Sequence, residues 1–179
     1  SDTTFRERPS MGSILKATVL PALGGDTVFS NTVAAYAGLP EELRQRIEGL
    51  DAWHDGLVSF ERHLDTPEKR EAFVTRHPPQ RHPVVRIHPE TGERLLFVNS
   101  GFTTAIADID PDESVDLLRV LFDEVKRPEY QVRFTWQAGS IAFWDNRSTQ
   151  HYGVADYSGY RCLERVTIMG DRPVGPKGE

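Results

Sequence analysis

The chain has 179 residues, of which 38% are hydrophobic and 27% charged, with a formal net charge of −6. These values suit one water-soluble domain over residues 1–179 with a sizeable core. They exclude a basic nucleic-acid binder, a membrane-spanning chain and, with Cys162 as the sole cysteine, a disulfide scaffold. The lone thiol and the lack of a recognisable signal segment point to a reducing cytoplasm.

Residues 1–13 read as loop or irregular strand. Ile14–Leu20 is apolar and β-rich, Pro21–Asp26 a turn, and Thr27–Phe29 the start of another strand. The Gly24-Gly25 pair lacks the rest of a phosphate-binding loop. Thr32–Ala37 and Glu41–Leu50 predict short helices, the second with Pro40 at its first position. Trp53–Asp55 and Phe60–His63 show no clean period. A helix is predicted from Thr66-Pro67-Glu68 to about Arg76, then a Pro/His loop over His77–Pro83. Val84–His88 and Leu95–Asn99 read as strands about the turn Pro89–Gly92. Asp110-Pro111-Asp112-Glu113 combines an N-cap, an N1 proline and an acidic first turn. The helix it opens carries Val115, Leu118, Phe122 and Val125 on one face and ends before Pro128. Tyr130–Trp136, Ile141–Trp144 and Arg161–Met169 read as strands. Many short strands with interleaved helices predict a mostly β fold, an antiparallel sandwich or barrel with helical insertions.

The last two strands carry the chemistry. After Trp144 the chain turns polar through Asp145-Asn146-Arg147 and presents His151. Arg161 and Arg165 then share one strand face, about 13 Å apart at ~3.3 Å per residue. A histidine beside two such arginines suits a metal centre that handles anions. On the other face Cys162, Val166 and Ile168 read as core, which Glu164 would interrupt. His54, His63, His77, His82 and His88 form no close metal-ligand pair, and the simplest reading of each is solvated or structural. No G-x-S-x-G elbow is present, and adjacent carboxylates such as Glu41-Glu42 read as solvated helix faces.

Five stretches occur in order: Asp2-Thr3-Thr4-Phe5; Leu20-Pro21-x-x-Gly24-Gly25-Asp26-Thr27; Phe97-Val98-Asn99-x-Gly101-Phe102-Thr103-Thr104; Trp144-Asp145-Asn146-Arg147-x-Thr149-Gln150-His151-Tyr152; and Arg161-x-x-x-Arg165-x-Thr167-x-x-Gly170-Asp171. Together they resemble the taurine dioxygenase family of iron(II)- and 2-oxoglutarate-dependent oxygenases, over essentially the whole chain. The resemblance implies a double-stranded β-helix (jelly roll) and a metal held by two histidines and one carboxylate. Asp2 matches the carboxylate and His151 the distal histidine. The first histidine of the motif falls one residue before Ser1, and the family's N-terminal portion is expected to lie outside these 179 residues. By the same resemblance Arg161 and Thr27 hold the distal carboxylate of 2-oxoglutarate, Arg165 holds a substrate sulfonate, and Phe60 and Phe102 line the substrate pocket. The implied reaction consumes O2 and 2-oxoglutarate and hydroxylates a small sulfonate such as taurine beside its sulfur, giving aldehyde, sulfite, succinate and CO2. Relatives that cleave alkyl sulfates or aryloxyalkanoates use the same residues. The first histidine's position also leaves open a non-catalytic jelly-roll binding protein. The expected partners are a small anionic substrate and O2, with no nucleic acid or membrane, and the chain is compatible with a homo-oligomer.

Overall fold

The computed structural model describes residues 1–177. In chain order these form β1 (Ser10–Val19), β2 (Thr27–Asn31), α1 (Thr32–Gly38), α2 (Glu41–Ile47), β3 (Asp51–His54), α3 (Leu57–Phe60), α4 (Pro67–Arg76), β4 (Gln80–Pro83), β5 (Val85–Ile87), β6 (Arg94–Leu96), β7 (Thr103–Ile106), α5 (Pro111–Val125), β8 (Gln131–Phe134), β9 (Ile141–Asp145), β10 (Thr149–Gly153) and β11 (Cys162–Met169). The protein is mostly β, in small sheets ordered β11-β1-β9, β10-β2-β8 and β4-β3-β7, with β5 and β6 as a hairpin. Every pairing is antiparallel.

Local chemistry sets the helix starts. The Asp110 carboxylate accepts from the backbone N–H groups of Asp112 (2.9 Å) and Glu113 (3.2 Å), ahead of a proline that has no N–H to satisfy. Asn31 caps α1 in the same way through Val33 and Ala34. Pro40 stands at the N-cap of α2, one position earlier than its sequence suggested. Helix α5 buries Leu117, Leu118, Leu121 and Val125 against Ala35, Ile47, Val98 and Ile106. Val115 is 66% exposed, so the buried stripe is rotated from the expected one. Leu117 and Leu121 meet the same helical spacing, and packing on β7 and α1 selects them.

β1 begins at Ser10, within the segment read as loop or irregular strand, and its register against β11 shifts between Ser10 and Gly12. Two further expectations need correction. The His77–Pro83 stretch is a strand at its end, because β4 pairs with β3 from Gln80 to Pro83. The β11 face expected to be core is open: Val166 is 64% exposed, and Glu164 lies opposite Lys16. A carboxylate on that face faces a lysine and water, so it carries no burial cost.

His54, His82 and His88 are buried and tied into the structure. Burial and the neighbouring His82 push the His54 imidazole down to about 3, and burial also lowers His82. In an unfolded chain the His54 and His82 rings titrate at about 6.5. Below that pH the unfolded state binds protons that the folded state refuses, so stability falls as pH drops from ~6.5 toward the lowered folded values. The loss reaches up to about 1.4 kcal/mol per pH unit for each such ring. The urea midpoint is therefore expected to be lower at pH 5 than at pH 7, with a flatter profile in His54→Asn. A midpoint constant over that interval contradicts the prediction.

Candidate functional site: a histidine, a carboxylate and two arginines between opposed sheets

The sheets β11-β1-β9 and β10-β2-β8 meet across Trp144. Its ring lies 5.1 Å from that of Phe29 on β2 and 4.8 Å from that of His151 on β10. The turn between β9 and β10 is locked by its own side chains. Trp144 Nε1 donates to Asn146 Oδ1 (2.7 Å), and Asn146 Nδ2 donates to Ser13 Oγ (2.7 Å). Arg147 forks onto Asp145 through Nε (3.0 Å to Oδ1) and Nη2 (2.7 Å to Oδ2), and His88 Nε2 lies 3.0 Å from the same carboxylate. Burial alone would raise the Asp145 carboxyl, but the hydrogen bonds from Arg147 and His88 outweigh it and hold it below the ordinary range. Asp145-Asn146-Arg147 is thus a buried brace for the strand that carries His151.

His151 lies opposite Phe29, and Gly153 opposite Thr27, so His151 and Thr27 share the inner face two residues apart in register. Burial, above all, pushes the His151 imidazole down to about 4, with Asp2 opposing and Arg165 adding. At neutral pH the ring is neutral, the form that ligates metals. Its Nδ1 is buried without a hydrogen-bond partner.

Asp2 reaches this space from the other end of the chain. Its Oδ1 accepts from the Thr3 N–H (2.8 Å), and its Oδ2 accepts from Arg165 Nη1 (2.6 Å). Arg165 sits on β11 opposite Leu15, its side chain 46% exposed. Arg161 immediately precedes β11 and donates from Nε to the Gly25 carbonyl (2.9 Å), while its Nη2 is buried and unpartnered. Gly24 and Gly25 both have positive φ, and a Cβ on Gly25 would stand 2.9 Å from Arg161 Nε. The glycine pair is therefore a seat for this arginine. Thr27 and Arg161 do not bond to each other but are joined through that turn. Thr27 Oγ1 accepts from Trp136 Nε1 (3.0 Å), which leaves the threonine hydroxyl proton free to donate.

Phe60 and Phe102 meet in an aromatic cluster centred on buried Phe5, at 5.6 Å and 5.2 Å from it. Phe73 and His77 from α4 and its end complete the cluster. Sequence reasoning missed Phe73, His77, Trp136 and Tyr157, over whose ring the Arg161 guanidinium lies at 5.7 Å. Only Phe5 carried a signal, as the last residue of the first motif. Among the described residues no group of three His, Cys, Asp or Glu side chains could hold a metal by itself.

The model of the "Taurine catabolism dioxygenase TauD, TfdA family" matches residues 1–167. The chain belongs to this family. It is 43% identical to the alpha-ketoglutarate-dependent sulfate ester dioxygenase of Pseudomonas putida, over the whole chain and 62% of that protein. Among solved structures it resembles a taurine dioxygenase from Burkholderia xenovorans, with TM-score 0.84 and 40% identity over 99% of this chain and 60% of that one. It also resembles AAD-2, in complex with Mn(II) and N-oxalylglycine, with TM-score 0.84 and 32% identity over 97% of this chain and 68% of that one. The chain thus spans about three fifths of the curated relative that it matches at 43%.

The donor set fits the metal and co-substrate that such family members use. A carboxylate and a neutral imidazole suit iron(II), and the orphaned Nδ1 of His151 shows ligating capacity not spent within the protein. A planar guanidinium with a buried, unused Nη2 suits a carboxylate. Among the described residues no helix is long and apolar enough to cross a membrane.

Proposed function

We propose that this protein is an iron(II)- and 2-oxoglutarate-dependent dioxygenase that oxidises the carbon beside a sulfur oxyanion. A small sulfonate such as taurine is the first reading of the substrate. The observation that carries the proposal is the Asp2–Arg165 pair beside His151, together with Arg161 anchored at the glycine turn before Thr27 and buried, unpartnered nitrogens on His151 and Arg161. The opposed sheets are read as part of a double-stranded β-helix, residues 1–179 as one dioxygenase domain, and its location as the cytoplasm.

In this reading Asp2 and His151 supply two of the metal's protein ligands. Bound iron(II), with O2 and 2-oxoglutarate, supplies the oxidising power, 2-oxoglutarate leaving as succinate and CO2 as one oxygen atom enters the substrate. Arg161 grips the distal carboxylate of the co-substrate, helped by the Thr27 hydroxyl proton that Trp136 leaves free. Arg165 holds the substrate anion, and Phe60 and Phe102 wall its carbon chain. Holding both co-substrates in one geometry is the protein's main contribution. A carbon that bears both a hydroxyl and a sulfonate expels sulfite and becomes an aldehyde.

An alkyl sulfate ester is the second reading. It is favoured by the 43% identical relative named for sulfate esters. It is favoured too by the five-ring cluster of Phe5, Phe60, Phe73, His77 and Phe102, which suits a hydrocarbon chain better than taurine's ammonium. The same hydroxylation then releases sulfate. Sulfite and sulfate release by the full-length protein, measured over a panel of alkanesulfonates and alkyl sulfates with iron(II), 2-oxoglutarate and O2, tests both. Sulfite from small sulfonates supports the first reading and sulfate alone the second. No substrate-dependent succinate formation from any of the panel would rule out both.

A further inference from the structure

The turn that carries Asp2 is held in an unfavourable backbone conformation. Thr3 has φ +57°, a left-handed geometry that a β-branched residue adopts only when its surroundings impose it. Those surroundings are polar and mostly buried. Thr3 Oγ1 accepts from the Ser10 N–H (3.1 Å) and lies 3.0 Å from Ser10 Oγ. On the next residue, Thr4 Oγ1 lies 2.9 Å from His54 Nδ1 and accepts from Asn99 Nδ2 (3.0 Å). Thr4 and His54 are fully buried and Asn99 is 6% exposed. Thr103 Oγ1 joins the knot 3.3 Å from His54 Nδ1. Beyond Thr4, the Arg6 carbonyl meets His82 Nε2 at 2.9 Å.

Asn99 faces two ways. Its amide nitrogen grips Thr4, while its Oδ1 accepts from the Phe102 N–H (3.0 Å). The same buried side chains therefore tie the turn bearing the proposed metal carboxylate to the loop bearing a proposed substrate-pocket ring. A hydrophobic core could have fixed either segment alone. A threonine hydroxyl, an imidazole and a carboxamide, all buried and mutually bonded, fix their relative position, since such groups bond only in narrow geometries.

We infer that Thr4, His54 and Asn99 are positioning residues, a buried clamp that sets the Asp2 carboxylate and Phe102 relative to each other. None of the three touches the substrate or the reacting atoms in this assignment. The inference rests on the reading of Asp2 as a metal ligand. Loss of groups that orient a metal ligand typically weakens metal affinity or activity by about 10- to 100-fold.

The test is Mn(II) affinity of the full-length protein by isothermal titration, a readout that requires no turnover. Thr4→Val keeps the side-chain shape and removes the hydroxyl, and is expected to weaken Mn(II) by about 10- to 100-fold. Thr4→Ser, which restores the hydroxyl, is expected to return close to wild-type affinity. Leu121→Ala, a cavity in the core away from the clamp, serves as the destabilised control and should bind Mn(II) as the wild type does. If Thr4→Val does not fold, His54→Gln takes its place, because its amide cannot occupy the Nδ1 position. Wild-type affinity in the hydroxyl-less variant, or an equal loss in Leu121→Ala, overturns the clamp while leaving Asp2 as a ligand. Failure of the wild-type protein to bind Mn(II) overturns the metal reading itself, and the clamp with it.

Discussion

His151→Ala is expected to leave the protein folded and to abolish substrate-dependent succinate formation. The ring sits on the inner face of β10, whose pairing with β2 does not depend on it, and its Nδ1 makes no hydrogen bond that folding would miss. Removing it takes away one proposed ligand while relieving the cost of a buried, unpartnered nitrogen. Losing even an outer partner of a metal ligand costs about 10- to 100-fold, so loss of the ligand itself should exceed about 100-fold in metal affinity. Asp2→Ala should lose metal to a similar degree, and it also leaves Arg165 without its 2.6 Å partner. Metal titration alongside a thermal melt checks both variants. A His151→Ala protein that binds iron(II) as the wild type does would remove His151 from the site.

The second large effect separates the two arginines. Arg161→Ala is expected to raise the KM for 2-oxoglutarate, and Arg165→Ala the KM for the sulfonate or sulfate ester. Each loses a charge-assisted pair worth about 1.5–3 kcal/mol, which corresponds to about 10- to 150-fold. Their surroundings differ enough for the effects to stay apart. Arg161, just before β11, is anchored at Gly25 and lies over Tyr157, whereas Arg165, within β11, points at Asp2. Arg161→Lys should recover little, because a lysine has neither the Nε that meets Gly25 nor the planar fork. Steady-state kinetics with each co-substrate varied in turn decides the matter. Identical patterns in the two variants would refute the separation.

The sequence by itself determined what is local. Asp110 followed by Pro111 starts a helix because a carboxylate two and three residues from free N–H groups can cap them wherever the helix lies. The two glycines before Thr27 signalled a turn, because positive φ is cheap only there. The ordered motifs marked Asp2, Thr27, His151, Arg161 and Arg165, although motif order gives residue identities and not their contacts. Tertiary structure decided everything that depends on which surfaces meet. Val115 and Leu121 fit the same helical period, and only packing against β7 and α1 put one in water and the other in the core. Val166 looked like core from alternation, yet no described element covers its face, and it stays open. The proline-rich His77–Pro83 segment ends as a strand because β3 offers it an edge, which outweighs a poor local propensity. Tyr157, Trp136 and Phe73 had no local signal, since a ring becomes part of a site only through what it touches. The same holds for Asp2 and Arg165, 163 residues apart in sequence and 2.6 Å apart in space. Short-range hydrogen bonding and backbone sterics can be read along the chain, whereas contacts between distant segments depend on how all the apolar surfaces are buried together.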